Sequence, residues 1–261
     1  MNQARTVLAA NGFSFTVSRC RTSAAVAAGL LSKVLGYNSV CLTCLTTDTP
    51  GVSMPTMTSE RGEGSFDRWA PSYDRSILQR FMFEPVHEAV LRAFSAASSA
   101  PHDVLDVGCG TGRLLEAAAR RWGEARLTGI DASEAMVAEA QRKHEGDARF
   151  AFRRGDASAL PVEAGSFDVV FSTMSLHHWG DQAAGMREVA RVLRPEGLFI
   201  LADADVPLLR RLRPFLKWTD HVNFREPEGM QRLLEEAGFS VVMWRRFWRV
   251  MRVQLFVSRK T

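Results

Sequence analysis

From about residue 100 to the C-terminus, short apolar runs alternate with segments whose apolar residues recur at helical spacing. Such runs predict buried strands, and the helical spacing predicts amphipathic helices between them. The predicted strands are Val104–Val107, Leu127–Ile130, Phe150–Phe152, Asp168–Ser172 and Leu198–Ala202, and the predicted helices are Leu114–Arg121, Ala135–Lys143, Ala183–Leu193 and Met230–Ala237. Strands alternating with helices predict a parallel sheet covered on both faces, which is a three-layer α/β sandwich.

The last two strand-like runs, Ser240–Trp244 and Val250–Val257, leave no room for a helix between them. They are therefore predicted to pair as a hairpin, so that one of them runs antiparallel to the rest of the sheet. An open α/β sheet binds its ligand beyond the carboxyl ends of its strands, where the strand order reverses. Candidate site residues are therefore sought in the loops that follow the strands.

The globular domain is predicted to cover residues 62–261. Its first part, about residues 77–94, has apolar residues at helical spacing. Pro85 is expected to divide this part into two helices, because proline lacks an amide donor and clashes with the preceding helical turn. The loop Ser95–Pro101 then leads into the first strand of the sheet.

Residues 1–61 differ in composition from the rest of the chain. Up to Thr47 they contain four basic residues and no acid, and they are rich in Ser, Thr and Ala without sustained periodicity. We expect a disordered or non-functional leader here. A targeting peptide, which has a similar composition, and a translation start at Met54 or Met57 are the alternatives.

The net charge of +4 comes from residues 1–47, since the lysines and arginines after Thr47 equal the 29 acids in number. The basic pI therefore gives no argument for nucleic acid as a partner, and none is expected. No apolar stretch is long enough to span a bilayer. Cys41 and Cys44 form a single C-x-x-C without a second pair or a nearby histidine, so no metal is expected. Reduced thiols in this number are typical of a cytoplasmic protein.

The stretch Val104–Glu116, VLDVGCGTGRLLE, joins a predicted strand to a predicted helix through three glycines. Gly108, Gly110 and Gly112 allow positive φ and let a nucleotide lie against bare backbone. The dinucleotide fingerprint G-x-G-x-x-G would place its third glycine where Arg113 stands, which counts against NAD. The glycine loop therefore indicates a nucleotide without identifying it.

Acidic residues follow three of the predicted strands. Asp106, at the end of the first strand, suits a cationic group on the ligand rather than a pyrophosphate. Asp131 ends the second strand and can accept both hydroxyls of a ribose. Asp156 follows the third strand and either accepts the exocyclic amine of adenine or caps a turn. Ser133 is expected to cap the next helix, and Met136 either lies against an adenine or fills the core.

In this order and spacing the motifs resemble those of class I S-adenosylmethionine-dependent methyltransferases, in the group that includes ubiquinone/menaquinone-type and small-molecule methyltransferases. The likeness covers about residues 66–259. It rests on VLDVGCGTG at 104–112, LTGIDAS at 127–133, GDASALP at 155–161, FDVVFSTMSLHHW at 167–179 and EVARVLRPEGLFIL at 188–201. The segment FDRWAPSYD at 66–74 is similar to the N-terminal helix of that group.

The resemblance implies a Rossmann-like, seven-stranded, mostly parallel sheet ordered 3-2-1-4-5-7-6, with strand 7 antiparallel. It implies S-adenosylmethionine as co-substrate and no metal. The glycine loop would hold the methionine part, with Asp106 near its amino group, Asp131 on the ribose and Asp156 on the adenine. The further candidate cofactor contacts are Tyr73, which with Trp69 is expected to close over the cofactor, and Ala132, Met136, Ala157 and Ser172.

Methyl transfer is an in-line displacement at a sulfonium carbon, so the protein mainly aligns the acceptor and excludes water. A base helps only where the acceptor must lose a proton. His177 and His178, after the fourth strand, are the candidates for that base or for substrate contacts. Asp203 and Asp205 follow the fifth strand, and no further carboxylates join them in a pattern typical of a magnesium site.

Residues 207–225, between the fifth strand and the next helix, combine apolar residues with bases that include Arg210, Arg211, Arg213 and Lys217. They are expected to form a lid over a small, apolar or aromatic methyl acceptor. Peripheral contact with a membrane is the alternative. Arginines also interleave with Trp244, Phe247 and Trp248, which in a hairpin gives one buried and one solvated face.

Other function classes are weighed against methyl transfer. The loop Ser172–Ser175 lacks the prolines typical of enzymes that methylate nucleic-acid bases. A nicotinamide oxidoreductase would need a Tyr-x-x-x-Lys set, which neither Tyr37 nor Tyr73 begins. An S-adenosyl-binding protein without catalysis stays an alternative, because the transfer itself needs so few residues.

Overall fold

The computed structural model describes the backbone of residues 7–10 and 13–16, and residues 83–207, 223–248 and 252–261. Two compact units make up the chain, Met1–Pro55 and Thr56–Thr261. In the first unit, β1 (Val7–Ala10) pairs with β2 (Phe13–Thr16) in antiparallel register. This hairpin was not predicted from the sequence, and a leader role for residues 1–61 stays a prediction.

The second unit alternates helices and strands along the chain. Its helices are α1 (Glu84–Ala97), α2 (Arg113–Arg121), α3 (Glu134–Lys143), α4 (Gln182–Val192) and α5 (Pro227–Glu236), with a 3₁₀ turn at Leu176–His178. Its strands are β3 (Asp103–Val107), β4 (Arg126–Asp131), β5 (Phe150–Arg154), β6 (Phe167–Thr173), β7 (Leu193–Ala204), β8 (Phe239–Trp248) and β9 (Arg252–Lys260). Trp69, Tyr73 and the first part of the predicted N-terminal helical region lie outside the described residues.

The strands form one seven-stranded sheet in the order β5-β4-β3-β6-β7-β9-β8. Pairing is parallel from β5 to β7, whereas β9 is antiparallel to both β7 and β8. Counted from β3 as the first strand, this is the order 3-2-1-4-5-7-6. The predicted fold, including the C-terminal hairpin, is confirmed.

Two hydrophobic clusters lie on opposite faces of the sheet and make the three layers. On one face the sheet packs with α1, α2 and α3 around side chains such as Leu91, Leu115 and Phe171. On the other face it packs with α4 and α5 around Met186 and Leu234. The apolar faces of the helices thus cover both faces of the sheet. Polar groups are therefore expected where the strands begin and end.

The junction between α4 and β7 differs from its predicted form. The helix ends at Val192, and β7 already begins at Leu193 and runs through Pro195 and Gly197. Its pairing with β6 shifts register over this stretch, and Glu196 adopts a positive φ of 62°. The breaker residues therefore bend the start of a strand that is longer than the predicted Leu198–Ala202.

A network of charged side chains joins the strands at their amino-terminal edge. Arg126 makes a two-pronged contact with the carboxylate of Asp103, at 2.6 and 2.8 Å. Arg194 bridges Asp103, at 2.7 Å, and Asp168. The other oxygen of Asp168 accepts the backbone amides of His102 and Asp103, both at 2.8 Å. Hydrogen bonds from Arg126 and Arg194 hold the pKa of Asp103 below its usual range, so these charges are mutually satisfied.

Candidate active site

The glycine loop turns the chain from β3 into α2. The amides of Gly108 and Cys109 both donate to the carbonyl of Ile130, at 2.7 and 3.1 Å. Gly108, Gly110 and Gly112 have φ values of 78°, 53° and 83°, a region that side chains disfavour. The predicted need for glycine in this loop is therefore confirmed.

The three glycines face different surroundings. A Cβ on Gly108 would lie 1.8 Å from the hydroxyl of Ser175, and one on Gly112 would lie 2.8 Å from the ring of Phe152. A Cβ on Gly110 would meet open space. Glycine at 108 and 112 thus lets the loop pack against the protein, whereas the space beside Gly110 is open.

Asp106 is a carboxyl buried at the end of β3, with 1% of its surface exposed. It lies opposite Phe171 of β6, on the face covered by α1 to α3, whereas the side chain of Val107 points to the other face. Its Oδ1 atom has no hydrogen-bond partner among the described residues. Burial, with the nearby charge of Asp131, raises the pKa of Asp106 to about 8. A cationic ligand group would stabilise its ionised form.

Asp131 links the end of β4 to the glycine loop. One carboxylate oxygen accepts the amide of Gly110 at 2.8 Å, and the other accepts the amide of Ser133 at 2.9 Å. A contact from this carboxylate to the hydroxyls of a ribose stays a prediction. Ser133 caps α3 by accepting the amide of Met136 at 3.2 Å, as predicted. Met136 is buried and Ala132 is exposed.

Asp156 is exposed in the loop after β5. Its Oδ1 atom accepts both the amide and the hydroxyl of Ser158, at 2.7 and 2.6 Å. The turn-capping alternative is therefore realised, and a contact from Asp156 to adenine stays a prediction. Ala157 is half-buried against the cluster under α4 and α5. Ser172 is fully buried in β6 beside Leu201, on the opposite face from Asp106.

His177 lies in the turn after β6 and pairs with a carboxylate at the end of β7. Its Nδ1 lies 2.5 Å from Oδ1 of Asp203, and both side chains are buried. The ring of Phe224 stacks on it with a centroid distance of 4.5 Å. His178 is exposed, with its ring 4.1 Å from that of His177. The sequence named both histidines, and the structure separates them into one paired and buried residue and one exposed residue.

The partners that fix residues 223–225 beside His177 were missed by the sequence analysis. Gln182, at the start of α4, is buried and donates to the carbonyls of Leu176 and Asn223, both at 2.9 Å. Its carbonyl oxygen accepts from Nε of Arg225. Gln254 of β9 donates to the carbonyl of Arg225 at 2.9 Å. A local signal for this contact was Gln254 itself, a polar residue inside the apolar run of β9.

Asp205, two residues after Asp203 and just past the end of β7, forms ion pairs with two arginines. Its buried Oδ2 lies 2.7 Å from Nε of Arg252 and 3.1 Å from Nε of Arg246. Both aspartates that follow the fifth strand of the sheet therefore have partners within the protein. In the described ranges, no group of three or more His, Cys, Asp or Glu side chains is placed to hold a metal ion.

The carboxyl ends of β3, β4, β6 and β7 thus bring the predicted site residues to one edge of the sheet. Open backbone at Gly110 and an unpartnered buried oxygen on Asp106 fit a ligand with a cationic group. Asp131 beside them fits its ribose. These features match S-adenosylmethionine better than NAD. A loop that binds NAD would have a glycine in place of Arg113, where α2 begins.

The strand order, with the glycine loop at this edge, is that of class I S-adenosylmethionine-dependent methyltransferases. A family model described as "Methyltransferase domain" matches residues 104–197, which span the glycine loop through the start of β7. The sequence-based recognition of the class is confirmed.

Similar proteins agree with this assignment. A malonyl-[acyl-carrier protein] O-methyltransferase of Methylovorus sp. (strain MP688) is 33% identical over 187 residues, which cover 67% of this chain and 62% of the relative. The chain therefore spans less than two thirds of that relative's length.

Two solved structures share the fold at low sequence identity. The [4+2]-cyclase SpnF aligns with a TM-score of 0.64 and 20% identity over 78% of this chain and 96% of its own. Phosphoethanolamine N-methyltransferase 2 of Haemonchus contortus, solved with S-adenosyl-L-methionine, aligns with a TM-score of 0.58 and 18% identity, covering 67% of this chain and 52% of its own.

In the described residues no helix is long and apolar enough to cross a membrane.

Proposed function

We propose that this protein transfers a methyl group from S-adenosylmethionine to an oxygen of a small, apolar or aromatic acceptor. The observation that carries the proposal is the pairing of His177 with Asp203 at the same sheet edge as the glycine loop. The family match and the relatives named as methyltransferases support methyl transfer. The buried histidine supports an acceptor that must lose a proton.

The residues that would hold the cofactor follow from the site. Gly110 and the loop around it would hold the methionine part, Asp106 its ammonium group and Asp131 the ribose hydroxyls. Asp156 and Ala157 would border the adenine, with Met136 behind it. Bound there, S-adenosylmethionine supplies a methyl group on a sulfonium sulfur, which is already a good leaving group.

The protein's own chemical task in this reaction is to remove the proton of the acceptor hydroxyl. An ionised carboxylate only accepts hydrogen bonds, so the Nδ1 of His177 facing Asp203 carries the proton and Nε2 keeps its lone pair. That lone pair takes the hydroxyl proton as the acceptor oxygen attacks. Asp203 holds the ring in this tautomer and stabilises its protonated form. Phe224 covers the ring and limits the access of water.

Replacement of His177 tests this assignment. His177→Asn is expected to lower kcat by about a hundredfold or more, the usual contribution of a general base, without weakening S-adenosylmethionine binding. His178→Asn is the matched control, since that ring is exposed and lies outside the pair with Asp203. The readout is transfer of labelled methyl to a panel of phenols and hydroxy compounds. Equal rates for His177→Asn and the wild type would remove the base from the mechanism.

A carboxylate acceptor is a second candidate, suggested by the relatives named malonyl-[acyl-carrier protein] O-methyltransferases. A carboxylate attacks without losing a proton, so its methylation needs no base. Methylation of a malonyl thioester that survives His177→Asn would favour this acceptor class over a hydroxyl.

The fold alone does not determine which reaction a protein catalyses. One structure with the same fold as this chain is named as a cyclase. A protein that binds S-adenosylmethionine without turnover is distinguished by product formation. The proposed lid, residues 207–225, lies mostly outside the described residues. Co-sedimentation with liposomes that persists at high salt would favour membrane contact over a lid for this segment. We keep the cytoplasm as the proposed location.

A further inference from the structure

Arg225 is a half-buried cation held in place by two buried amides. Gln182 accepts from its Nε, and Gln254 donates to its backbone carbonyl at 2.9 Å. Gln182 and Gln254 are 4% and 0% exposed, so both ends of the residue are fixed by rigid parts of the fold. No acid of the described residues pairs with its guanidinium, and neither terminal nitrogen makes a hydrogen bond there.

Other arginines of the described residues, in contrast, form ion pairs with acids. Arg246 and Arg252 both lie against the buried carboxylate of Asp205, and at the opposite edge Arg194 bridges Asp103 and Asp168. The guanidinium of Arg225 is half-buried and has no counter-charge among the described residues, so a bound anion would gain a charge-assisted pair with it.

Arg225 lies close to the base of the proposed reaction. The side-chain amide of Gln182 bridges the two, since its nitrogen binds the carbonyl of Leu176, next to His177, while its oxygen binds Arg225. Phe224, the preceding residue, stacks on the imidazole of His177. The two unused nitrogens of the guanidinium form a planar fork that matches a carboxylate.

We propose that Arg225, positioned by Gln182 and Gln254, binds a carboxylate on the methyl acceptor. The proposal rests on the proposed methyl transfer and narrows its acceptor from an apolar or aromatic molecule to one that also carries an anionic group. A phosphate offers the fork the same pair of oxygens, so both anions enter the test.

The test is a calorimetric titration of the full chain, first saturated with S-adenosylhomocysteine. The probes are malonate, its neutral analogue malonamide, and inorganic phosphate. Malonate is expected to bind the wild type and to bind Arg225→Gln about tenfold or more weakly, the usual loss for a charge-assisted pair. Arg245→Gln, which removes an exposed arginine of β8, is the matched charge control and is expected to keep wild-type affinity.

Gln182→Leu separates positioning from charge, because it keeps Arg225 and removes its hydrogen bond. Malonate affinity is expected to fall in this variant, with thermal unfolding recorded to confirm that it is folded. Preference for phosphate over malonate would replace the carboxylate by a phosphate on the acceptor. The proposal is overturned if neither anion binds the wild type, if malonamide binds as well as malonate, or if Arg225→Gln binds malonate normally. Failure of S-adenosylhomocysteine to bind would instead contradict the proposed function.

Discussion

The two edges of the central sheet treat their charges in opposite ways. At the amino-terminal edge, Asp103, Asp168, Arg126 and Arg194 form a network in which each charge meets an opposite charge. At the carboxyl edge, Asp106 is buried with an unpartnered oxygen, and Arg225 has no described acidic partner. The same chain thus completes its polar contacts at one edge and leaves some of them open at the other.

The difference separates stability from function. Satisfied charges join neighbouring strands and contribute to folding, whereas open polar groups in a buried setting lower stability unless a ligand completes them. We therefore expect substitutions at the amino-terminal edge to change unfolding and leave ligand binding intact. Substitution of Asp131 at the carboxyl edge should mainly weaken ligand binding, and the predictions below test this contrast.

The largest effect is expected at Asp131. Asp131→Ala removes the carboxylate proposed to accept both ribose hydroxyls and also releases the amide of Gly110. Affinity for S-adenosylhomocysteine should fall by about a hundredfold or more, measured by calorimetric titration. Asp103→Asn, a carboxylate change at the opposite edge, is the control and should keep the wild-type affinity. Equal losses in both variants would erase the distinction between the edges.

The next effect separates packing from ligand contact within the glycine loop. Gly108→Ala places a methyl group on Ser175 at a positive φ, and we expect a loss of about 2–5 kcal/mol in the free energy of unfolding. Gly110→Ala meets open space and should lose only about 1–2 kcal/mol from its backbone conformation. Urea unfolding measures both. A larger loss for Gly110→Ala would show that the loop packs differently.

Features of the fold and the site that depend on neighbouring positions could be predicted from the sequence, whereas contacts between distant positions could not. The glycine loop, the cap Ser133 and the C-terminal hairpin follow from local patterns, because turn geometry and burial select residue types within a few positions. The strand order was expected only from the resemblance to a known family. The partner of His177 lies 26 positions away, at Asp203, and the contact of Gln182 with Arg225 spans 43 positions. No local pattern specifies such pairs, since the sheet topology brings them together.

A pH dependence of stability is expected from Asp106. Its pKa is raised to about 8 in the folded chain, while an unfolded aspartate titrates near 3.9. Between these values the folded state holds one more proton, so stability from this group is complete below about pH 4 and is lost as pH rises toward 8, by about 1.4 kcal/mol per pH unit. Asp106→Asn should flatten that part of the profile in urea unfolding. An unchanged slope would mean that Asp106 is ionised when folded.

The smallest effect is expected at the amino-terminal edge. Arg194→Met removes one partner each from Asp103 and Asp168. Since these side chains are partly exposed, the loss of unfolding free energy should be about 1 kcal/mol. Affinity for S-adenosylhomocysteine should not change, measured on the same preparation. A weakened affinity would indicate coupling between the edges through β3 and β6.

The most direct test of the central claim is the ligand preference of the wild-type protein. Calorimetric titration of the full chain with S-adenosylmethionine, S-adenosylhomocysteine, NAD and NADP compares the two nucleotide classes that a glycine loop can serve. The account predicts saturable binding of both S-adenosyl compounds and no binding of either dinucleotide. Binding of NAD or NADP without the S-adenosyl compounds would contradict it.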